Sequence, residues 1–528
     1  MLSDLASGFR SAVPGKEHSL GLRRPSLLLV VEALALAVWV ATAGWLVLGQ
    51  DPRGEVIPID PEALSAGPAS ETWMGIYFEG VKAGYAVSSS SPTADGGLLL
   101  RNRSAFEVAA FGEIKRIVTI SNAVVDSNRQ VRQFDFFMSS DPVDLTARGE
   151  VQGDQIVIEV VQAGQIQTVR IDVDEPPQMS VSLNSWIAGI ETDLAVGQRY
   201  EVPYFDPVTL SQQPMVLEIV DVEILPTAIV DGLIHEGEEA YWIERSFGDI
   251  STRVLITPSG QLIREEGALG LALVRETKQQ ALTMPEGTEP VDIIALSSVQ
   301  LTGGRLDAPR DIMVFEAAIQ GIDPELVDHD PPRQVLEDNR VRIEAPHLAE
   351  VPSDVPVAET AEGFEDYLSP TLFLPSTHPD IRRKAEELLG DETDRRGAVV
   401  TLNDWVHGYL IKAPTLGVPN ALEVLQVGQG DCNEHTALFV ALARARGIPA
   451  RIVAGLVYSE RIGAGGFYYH AWPEVYMGQQ AGWVTVDPTF GQFPADATHI
   501  KIVEGDLDKQ VEIMGVIGRV SFHLVEAR

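Results

Sequence analysis

The chain has 528 residues, enough for several globular domains, and 45% of them are hydrophobic, enough to build buried cores. Its formal net charge of −37 argues against nucleic acid and anionic lipid head groups as partners, because like charges repel. A single cysteine, Cys432, excludes an intrachain disulfide and a metal site built on several thiolates.

An apolar segment near the N-terminus predicts a membrane-spanning helix. Residues 27–48 contain one charged side chain, Glu32, over 22 positions, and about 20 apolar residues suffice to cross the hydrocarbon core. Basic residues precede this segment, whereas Arg53 is the only basic residue between it and Glu62. The positive-inside rule then predicts that the N-terminus is cytoplasmic and that the rest of the chain is exported.

This topology places residues 1–25 in the cytoplasm and residues 26–49 in the membrane. A cleaved signal peptide is the alternative, since Ala41-Thr42-Ala43 resembles a small-residue cleavage site, although apolar sequence continues beyond it. Both interpretations put the body of the protein outside the cytoplasm. We expect a single-pass protein of the cell inner membrane whose bulk is periplasmic or extracellular.

A β-rich middle domain is predicted next, after a linker. Residues 50–70 are rich in Pro, Ala, Asp and Glu, which is typical of a linker. Residues 71–285 alternate short β-branched or aromatic runs with turn signals, such as Asp-Gly at 95–96 and Pro-Ser-Gly at 258–260. Successive strands joined by tight turns favour an antiparallel sheet, arranged as a sandwich or an open barrel.

The remaining sequence divides into three parts. Residues 286–370 are a mixed connecting region, in which DIMVFEAAI and RVRIEA predict two strands of a small sheet. Residues 371–510 predict a domain with helices and strands, and the helical spacing begins after Pro379 and recurs over residues 399–410. Residues 511–528 form a C-terminal extension. The fold class is therefore multidomain, with an α+β domain near the C-terminus.

The only cysteine lies at a predicted helix start. Gly428 and Gly430 form a tight loop, and Asp431 with Glu434 makes a capping-box-like pair. Cys432 then occupies the first turn, where the helix dipole favours the thiolate, which is the nucleophilic form of cysteine. Backbone N–H groups in this turn lack helical partners, so they can also hold an oxyanion.

Two predicted strands follow the helix and carry a histidine and an acid. His470 lies in GFYYHAWPEVYM and Asp487 lies near the end of GWVTVDPTF. Adjacent antiparallel strands can place these two side chains together. Asp487 would then orient the imidazole of His470, which would take the proton from Cys432.

These motifs resemble the transglutaminase-like superfamily. The sequence around Cys432 is followed in order by RARGIPAR, HAWPEVY and GWVTVDPT. The resemblance implies a papain-like cysteine acyltransferase or protease fold, in a family that includes transglutaminases, peptide N-glycanases and bacterial cysteine proteases. It also implies Cys432 as nucleophile, His470 as base and Asp487 as orienting acid, in a bacterial membrane-anchored member.

Other polar residues near the motif have weaker assignments. His435 follows the cysteine on the same helix and is expected to be structural or exposed. Trp405 and Gln426 are both candidates for a second oxyanion donor. No group of residues has zinc spacing, and no EF-hand or P-loop pattern occurs, so no metal and no cofactor are expected.

The predicted chemistry is acyl transfer through a thioester at Cys432. Water as acceptor gives a protease or amidase, and a lysine amine gives a transglutaminase. The same triad serves both reactions, so both remain open, with a peptide or protein as substrate. The alternative is a non-enzymatic envelope binding or scaffold protein, in which the transglutaminase-like domain is a docking module.

Overall fold

The computed structural model describes residues 70–528 except positions 111, 141–142, 163, 174–175, 188–193, 209, 226–227, 231–232, 236, 248–249, 360–361, 416–417, 461–464, 506–512 and 514–515. The predicted cytoplasmic segment 1–25, membrane helix 26–49 and almost all of the linker lie outside these residues. In the part of the chain that the structure describes, no helix is both long and apolar enough to span a bilayer.

The first half of the described chain is almost entirely β-structure. Its strands are β1 (Ser70–Phe78), β2 (Val81–Pro92), β3 (Leu98–Ala110), β4 (Glu113–Val125), β5 (Val131–Ser140), β6 (Val143–Gln152), β7 (Gln155–Gln162), β8 (Gln165–Asp172), β9 (Arg199–Asp206), β10 (Ser211–Ile224), β11 (Ala228–Val230), β12 (Leu233–His235), β13 (Glu239–Phe247), β14 (Ile250–Ile256), β15 (Leu262–Glu266) and β16 (Leu271–Glu276). Helix α1 (Ser180–Ile187) lies between β8 and β9.

Fourteen of these strands form one antiparallel sheet in the order β8-β7-β6-β5-β4-β3-β2-β1-β16-β15-β14-β13-β10-β9, and β11 pairs with β12 separately. Side chains of β7 alternate between the two faces of the sheet. Ile156, Ile158 and Val160 are at most 1% exposed, whereas Glu159 is exposed. The predicted turns at 95–96 and 258–260 both join neighbouring strands. The β-rich antiparallel prediction is therefore confirmed, and the choice between sandwich and open barrel stays a prediction.

The second half mixes helices with a smaller sheet. Its helices are α2 (Lys278–Leu282), α3 (Ile293–Leu296), α4 (Glu365–Leu368), α5 (Pro379–Leu389), α6 (Arg395–Tyr409), α7 (Ala421–Val427) and α8 (Cys432–Ala445). Its strands are β17 (Val299–Thr302), β18 (Val314–Gln320), β19 (Gln334–Glu337), β20 (Arg340–Glu344), β21 (Ile411–Lys412), β22 (Gln429–Gly430), β23 (Ala450–Ser459), β24 (Gly466–Tyr476), β25 (Trp483–Thr485), β26 (His499–Glu504) and β27 (Ser521–Ala527).

The predicted connecting region shares a sheet with the strands that follow it. Nine strands pair in the order β19-β20-β18-β27-β17-β24-β23-β26, with β25 on β24. The two strands predicted at 286–370 do pair, as β18 and β20, but they belong to this larger sheet. The C-terminal strand β27 lies between β18 and β17. The domain boundaries at 371 and 511 stay predictions.

Helix α8 lies at the centre of the C-terminal core. Its Leu438, Phe439 and Leu442 are fully buried, and they share a core cluster with Leu402 of α6 and Val475 of β24. Cys432 is the first residue of this helix. Burial of the helix therefore fixes the position of the cysteine against the sheet.

The β-rich sheet touches the loop that precedes α7. Val418 is 1% exposed and belongs to a core cluster whose other buried members come from the β-rich sheet, among them Phe134 and Ile158. The side-chain amide of Gln162 in β7 donates to the carbonyl of Val418 over 2.6 Å. The residues around Val418, which precede α7, therefore pack on the β-rich sheet.

Candidate active site

The start of α8 has the predicted capping box. Asp431 is the N-cap, and its carboxylate accepts the N–H of Asn433 over 3.0 Å. Glu434 returns the contact by accepting the N–H of Asp431 over 2.9 Å. Cys432 is thereby held in the first turn, where it is partly buried.

His470 and Asp487 lie together, as the strand pattern predicted. His470 is in the middle of β24, and Asp487 follows the end of β25, the antiparallel neighbour of β24. Nε2 of His470 lies 2.9 Å from Oδ2 of Asp487, and both residues are at most 1% exposed. The other carboxylate oxygen, Oδ1, accepts the N–H groups of Thr489 over 2.8 Å and Phe490 over 3.0 Å. Asp487 is therefore held by backbone as well as by the histidine.

The thiol of Cys432 lies beside this pair. It accepts a hydrogen bond from the backbone N–H of Ala471, the residue after His470. Thr436, one turn further along α8, donates to the carbonyl of Ala471 over 3.1 Å and fixes the helix to β24. The structure thus places Cys432 next to the residue that follows His470.

The free nitrogen of His470 has the property that a general base needs. Because the carboxylate of Asp487 accepts only, Nε2 carries the proton of the neutral ring and Nδ1 carries the lone pair. Nδ1 is buried and has no hydrogen-bond partner among the described residues. The catalytic roles of Cys432, His470 and Asp487 remain a prediction.

Burial favours a neutral cysteine–histidine pair at rest. Burial raises the pKa of Cys432 well above its usual range, and the carboxylate of Asp431 acts in the same direction. Burial lowers the pKa of His470, although Asp487 acts in the opposite direction. The sequence led us to expect that the helix dipole favours the thiolate, but here burial and the neighbouring carboxylates oppose that effect.

A second histidine contacts the same carboxylate, and the sequence analysis missed it. Nε2 of His499 lies 2.9 Å from Oδ2 of Asp487, and its Nδ1 lies 3.2 Å from the carbonyl oxygen of Asp496. His499 is 1% exposed. Burial raises the pKa of Asp487, but the contacts with His470 and His499 hold it well below its usual range. The sequence signal for His499 is only a histidine at the start of an apolar strand.

Three neighbouring residues received weaker assignments. His435 is fully buried, its Nδ1 lies 2.6 Å from the carbonyl oxygen of Asp431, and burial lowers its pKa to about 4. This neutral, enclosed ring agrees with a structural role. Trp405 stacks on Tyr409 with ring centroids 4.5 Å apart, and Gln426 is exposed on α7. Which of them, if either, donates to an oxyanion stays a prediction.

The cluster of His470, Asp487 and His499 also has metal-ligand side chains. One atom from each lies within 4.8 Å of the others. However, Nε2 of each histidine already lies at hydrogen-bonding distance from Asp487, and the three residues are at most 1% exposed. A metal ion would have to displace both hydrogen bonds. Direct hydrogen bonding explains the cluster without a metal.

The comparison with known families agrees with this geometry. Residues 382–488 match the family model of the Transglutaminase-like superfamily. The C-terminal region contains a transglutaminase-like domain. The match covers Cys432, His470 and Asp487, and it ends before His499.

Curated relatives are similar over about a quarter of the chain. A protein-glutamine gamma-glutamyltransferase of Pseudomonas aeruginosa is 31% identical over 128 residues, which cover 22% of this chain and 19% of that protein. An uncharacterized protein of Mycobacterium leprae is 29% identical over 132 residues, which cover 24% of this chain and 46% of that protein. The chain therefore spans less than half the length of these relatives.

Solved structures align over larger parts of the chain but weakly. A candidate cysteine protease from Cytophaga hutchinsonii covers 44% of this chain and 85% of its own, with 16% identity and a TM-score of 0.27. A β-barrel-like protein of a domain of unknown function from Brucella abortus covers 41% and 98%, with 10% identity and a TM-score of 0.33. Both scores are too low to inform the fold or the function of this chain.

Proposed function

We propose that this protein is a cysteine acyl-transfer enzyme that acts on peptide-like amides through a thioester at Cys432. One observation carries the proposal. Nδ1 of His470 is buried and unpaired while Nε2 contacts Asp487, and the thiol of Cys432 accepts the N–H of the next residue, Ala471. A positioned base beside a nucleophile at a helix start is the arrangement that thioester chemistry needs.

The acylation step begins from the neutral pair. Nδ1 of His470 takes the thiol proton as the sulfur of Cys432 attacks the amide carbonyl carbon. The carbonyl oxygen becomes an oxyanion at the positive end of the α8 dipole, near the N–H of Cys432, because the N–H of Asn433 is already bonded to Asp431. The C–N bond then breaks, the leaving amine receives the proton from His470, and the acyl group remains on sulfur.

Deacylation reverses the roles. Water or an amine attacks the thioester carbonyl, and His470 takes a proton from the attacking group. The C–S bond breaks, and the sulfur recovers its proton from His470. Asp487 stabilises the imidazolium that forms twice in each cycle and keeps the ring oriented.

The class of acyl donor is part of the proposal. The name of the Pseudomonas aeruginosa relative, a protein-glutamine gamma-glutamyltransferase, favours protein amides as acyl donors, although only 19% of that protein is matched.

The location of the enzyme is also part of the proposal. The apolar segment 27–48 and the basic residues before it support a single membrane anchor with the enzyme outside the cytoplasm. A reporter enzyme that works only outside the cytoplasm, fused after residue 60, tests this topology.

The test of activity uses the full-length protein with a library of peptide amides, with and without an added primary amine. Products are identified by mass spectrometry, and the intact protein is examined for an acyl adduct on Cys432. We expect turnover in the wild type and a loss on the order of 10⁴-fold or more in both Cys432→Ala and His470→Ala. A free acid as product indicates hydrolysis, and an amide of the added amine indicates transamidation.

Turnover that survives Cys432→Ala would contradict the proposal. Wild-type protein that neither turns over any amide nor forms an acyl adduct would contradict it as well. Either result would favour a non-enzymatic envelope binding or scaffold protein.

A further inference from the structure

Asp487 has one carboxylate oxygen that two histidines share. Oδ2 lies 2.9 Å from Nε2 of His470 and 2.9 Å from Nε2 of His499. The ring centroids of the two histidines are 5.7 Å apart. Since a carboxylate oxygen only accepts, both rings donate a proton to it. His499 thus joins the pair of His470 and Asp487 as a third hydrogen-bonded residue.

The second nitrogen of His499 also faces acceptors. Nδ1 lies 3.2 Å from the carbonyl oxygen of Asp496 and 3.4 Å from its carboxylate. A neutral imidazole donates from one nitrogen only, so a ring enclosed by acceptors on both sides is satisfied as an imidazolium. Burial alone would lower the pKa of His499, but Asp496 and Asp487 raise it above its usual value. The acceptors on both sides therefore favour the protonated form of His499.

Arg310 contacts the carboxylate of Asp496 and the ring of Phe490. Its guanidinium lies 3.0 Å from the carboxylate of Asp496 and 4.4 Å from the centre of the Phe490 ring. Phe490 in turn stacks on His470, with centroids 5.0 Å apart. Arg310 comes from the connecting region, and Asp496 and His499 follow the family match, so all three lie outside residues 382–488.

We propose that His499 is a positioning residue for the His470–Asp487 pair. It holds Oδ2 of Asp487 in place and offsets part of the carboxylate charge, so that His470 stays neutral and ready to act as a base. This inference rests on the proposed function, because it assigns a role to His499 through His470.

The charged groups near the rings of His499 and His470 are, among the described residues, mainly carboxylates. His499 faces Asp487 and Asp496, with Trp472 at 5.2 Å and Phe490 at 6.2 Å closing its remaining sides. His470 faces Asp487, the charge of His499 and, more distantly, that of Arg310. Removing the charge of His499 leaves Asp487 freer to stabilise protonated His470. The pKa of His470 should then rise.

The test measures alkylation of the only cysteine, so it needs no substrate. The rate at which iodoacetamide modifies Cys432 in the full-length protein is recorded against pH. In the wild type the rate should fall on the acid side as His470 takes up its proton. His499→Gln keeps a side-chain donor but loses the charge, so this acid limb should move to higher pH by about one unit.

A second variant measures the loss of orientation. His499→Ala removes the donor as well, and the maximal rate should fall roughly tenfold, a fraction of the 10²–10⁴-fold that a positioned acid–base group contributes. His523→Gln is the matched control, since His523 is exposed on β27 and its change should leave the profile unaltered. Cooperative thermal unfolding of each variant shows that it is folded.

His470→Ala separates the two proposals. If it leaves the alkylation profile unchanged, the proposed function fails. If it abolishes the acid limb but folded His499→Gln keeps the wild-type limb, only the role of His499 is overturned. Nitrogen NMR shifts of the histidine rings in the wild type test the role of His499 without any substitution. A neutral His499 ring near neutral pH would also contradict that role.

Discussion

The two β-containing regions are built in opposite ways. In the fourteen-stranded sheet, β1 to β7 each pair with the next strand in the chain, so most strand pairs are local hairpins. In the nine-stranded sheet, β17 lies between β27 and β24, strands that come much later in the sequence. The site occurs in the second arrangement. Long-range pairing costs more chain entropy to form, but it brings distant polar groups to one place.

Two arginines illustrate what the long-range sheet supplies to the site. Arg310 contacts the carboxylate of Asp496, and Arg333 donates to the carbonyl oxygen of Asp496 over 2.9 Å. Arg333 also donates to Thr485 over 2.7 Å, two residues before Asp487. The connecting region thus holds both ends of the loop that carries the acid. The β-rich sheet, by contrast, contacts the C-terminal half at Val418, whose carbonyl accepts from Gln162.

Removing the connecting region is the change with the largest expected effect on the nine-stranded sheet. A chain that begins at residue 371 lacks β17, β18 and β20, so Phe315, Val341 and Ile343 are removed from a core in which they are fully buried. We expect no cooperative unfolding transition, because the loss exceeds the total stability of about 5–15 kcal/mol that a domain has. A chain that begins at residue 286 keeps the whole sheet and should unfold cooperatively.

Circular dichroism with thermal unfolding measures both fragments under the same buffer conditions. Cooperative unfolding of the shorter fragment would show that the family match is close to an independent domain. Failure of the longer fragment to fold would show instead that the β-rich sheet is required, through its contact with Val418.

A pair of core substitutions sharpens the comparison at a smaller scale. Phe315 packs on Phe467 of β24, three residues before His470, with ring centroids 5.5 Å apart. Phe134 packs on Phe205 inside the β-rich sheet at 5.2 Å. Each change to Ala should cost about 3–5 kcal/mol of unfolding free energy. Only Phe315→Ala should also slow alkylation of Cys432, because only Phe315 supports the strand that carries the base.

Urea unfolding gives the two free energies, and iodoacetamide labelling of folded protein gives the two rates. Equal slowing by Phe315→Ala and Phe134→Ala would mean that the β-rich sheet supports the site as directly as the connecting region does. The choice of two buried phenylalanines with aromatic neighbours keeps the lost volume the same.

The sequence predicted what depends on local patterns. Capping residues, the helix from Cys432 and the hairpins of the β-rich region follow from spacing within short windows. The contact between His470 and Asp487 followed from two strands close in the chain. Arg310 and His499 were missed because their role depends on strand order in the nine-stranded sheet, and no local pattern specifies that order. The membrane segment lies outside the described residues, so that prediction is untested by the structure.

The last prediction concerns how the stability of the C-terminal core depends on pH through buried His435. Burial lowers the pKa of this histidine to about 4, whereas a histidine in an unfolded chain has a pKa of about 6.5. Between these values the unfolded chain binds a proton that the folded chain excludes, so stability falls as pH falls through this window, by at most roughly 3 kcal/mol. His435→Asn cannot be protonated and keeps a donor for the carbonyl of Asp431, so its stability should depend less on pH. Other groups titrate in both proteins, and the difference between the two profiles isolates His435. Urea unfolding between about pH 7 and about pH 5 measures it, with exposed His523→Gln as control. Parallel profiles for wild type and His435→Asn would show that the ring is protonated inside the fold, and the C-terminal core would then be less closed to water than its burial indicates.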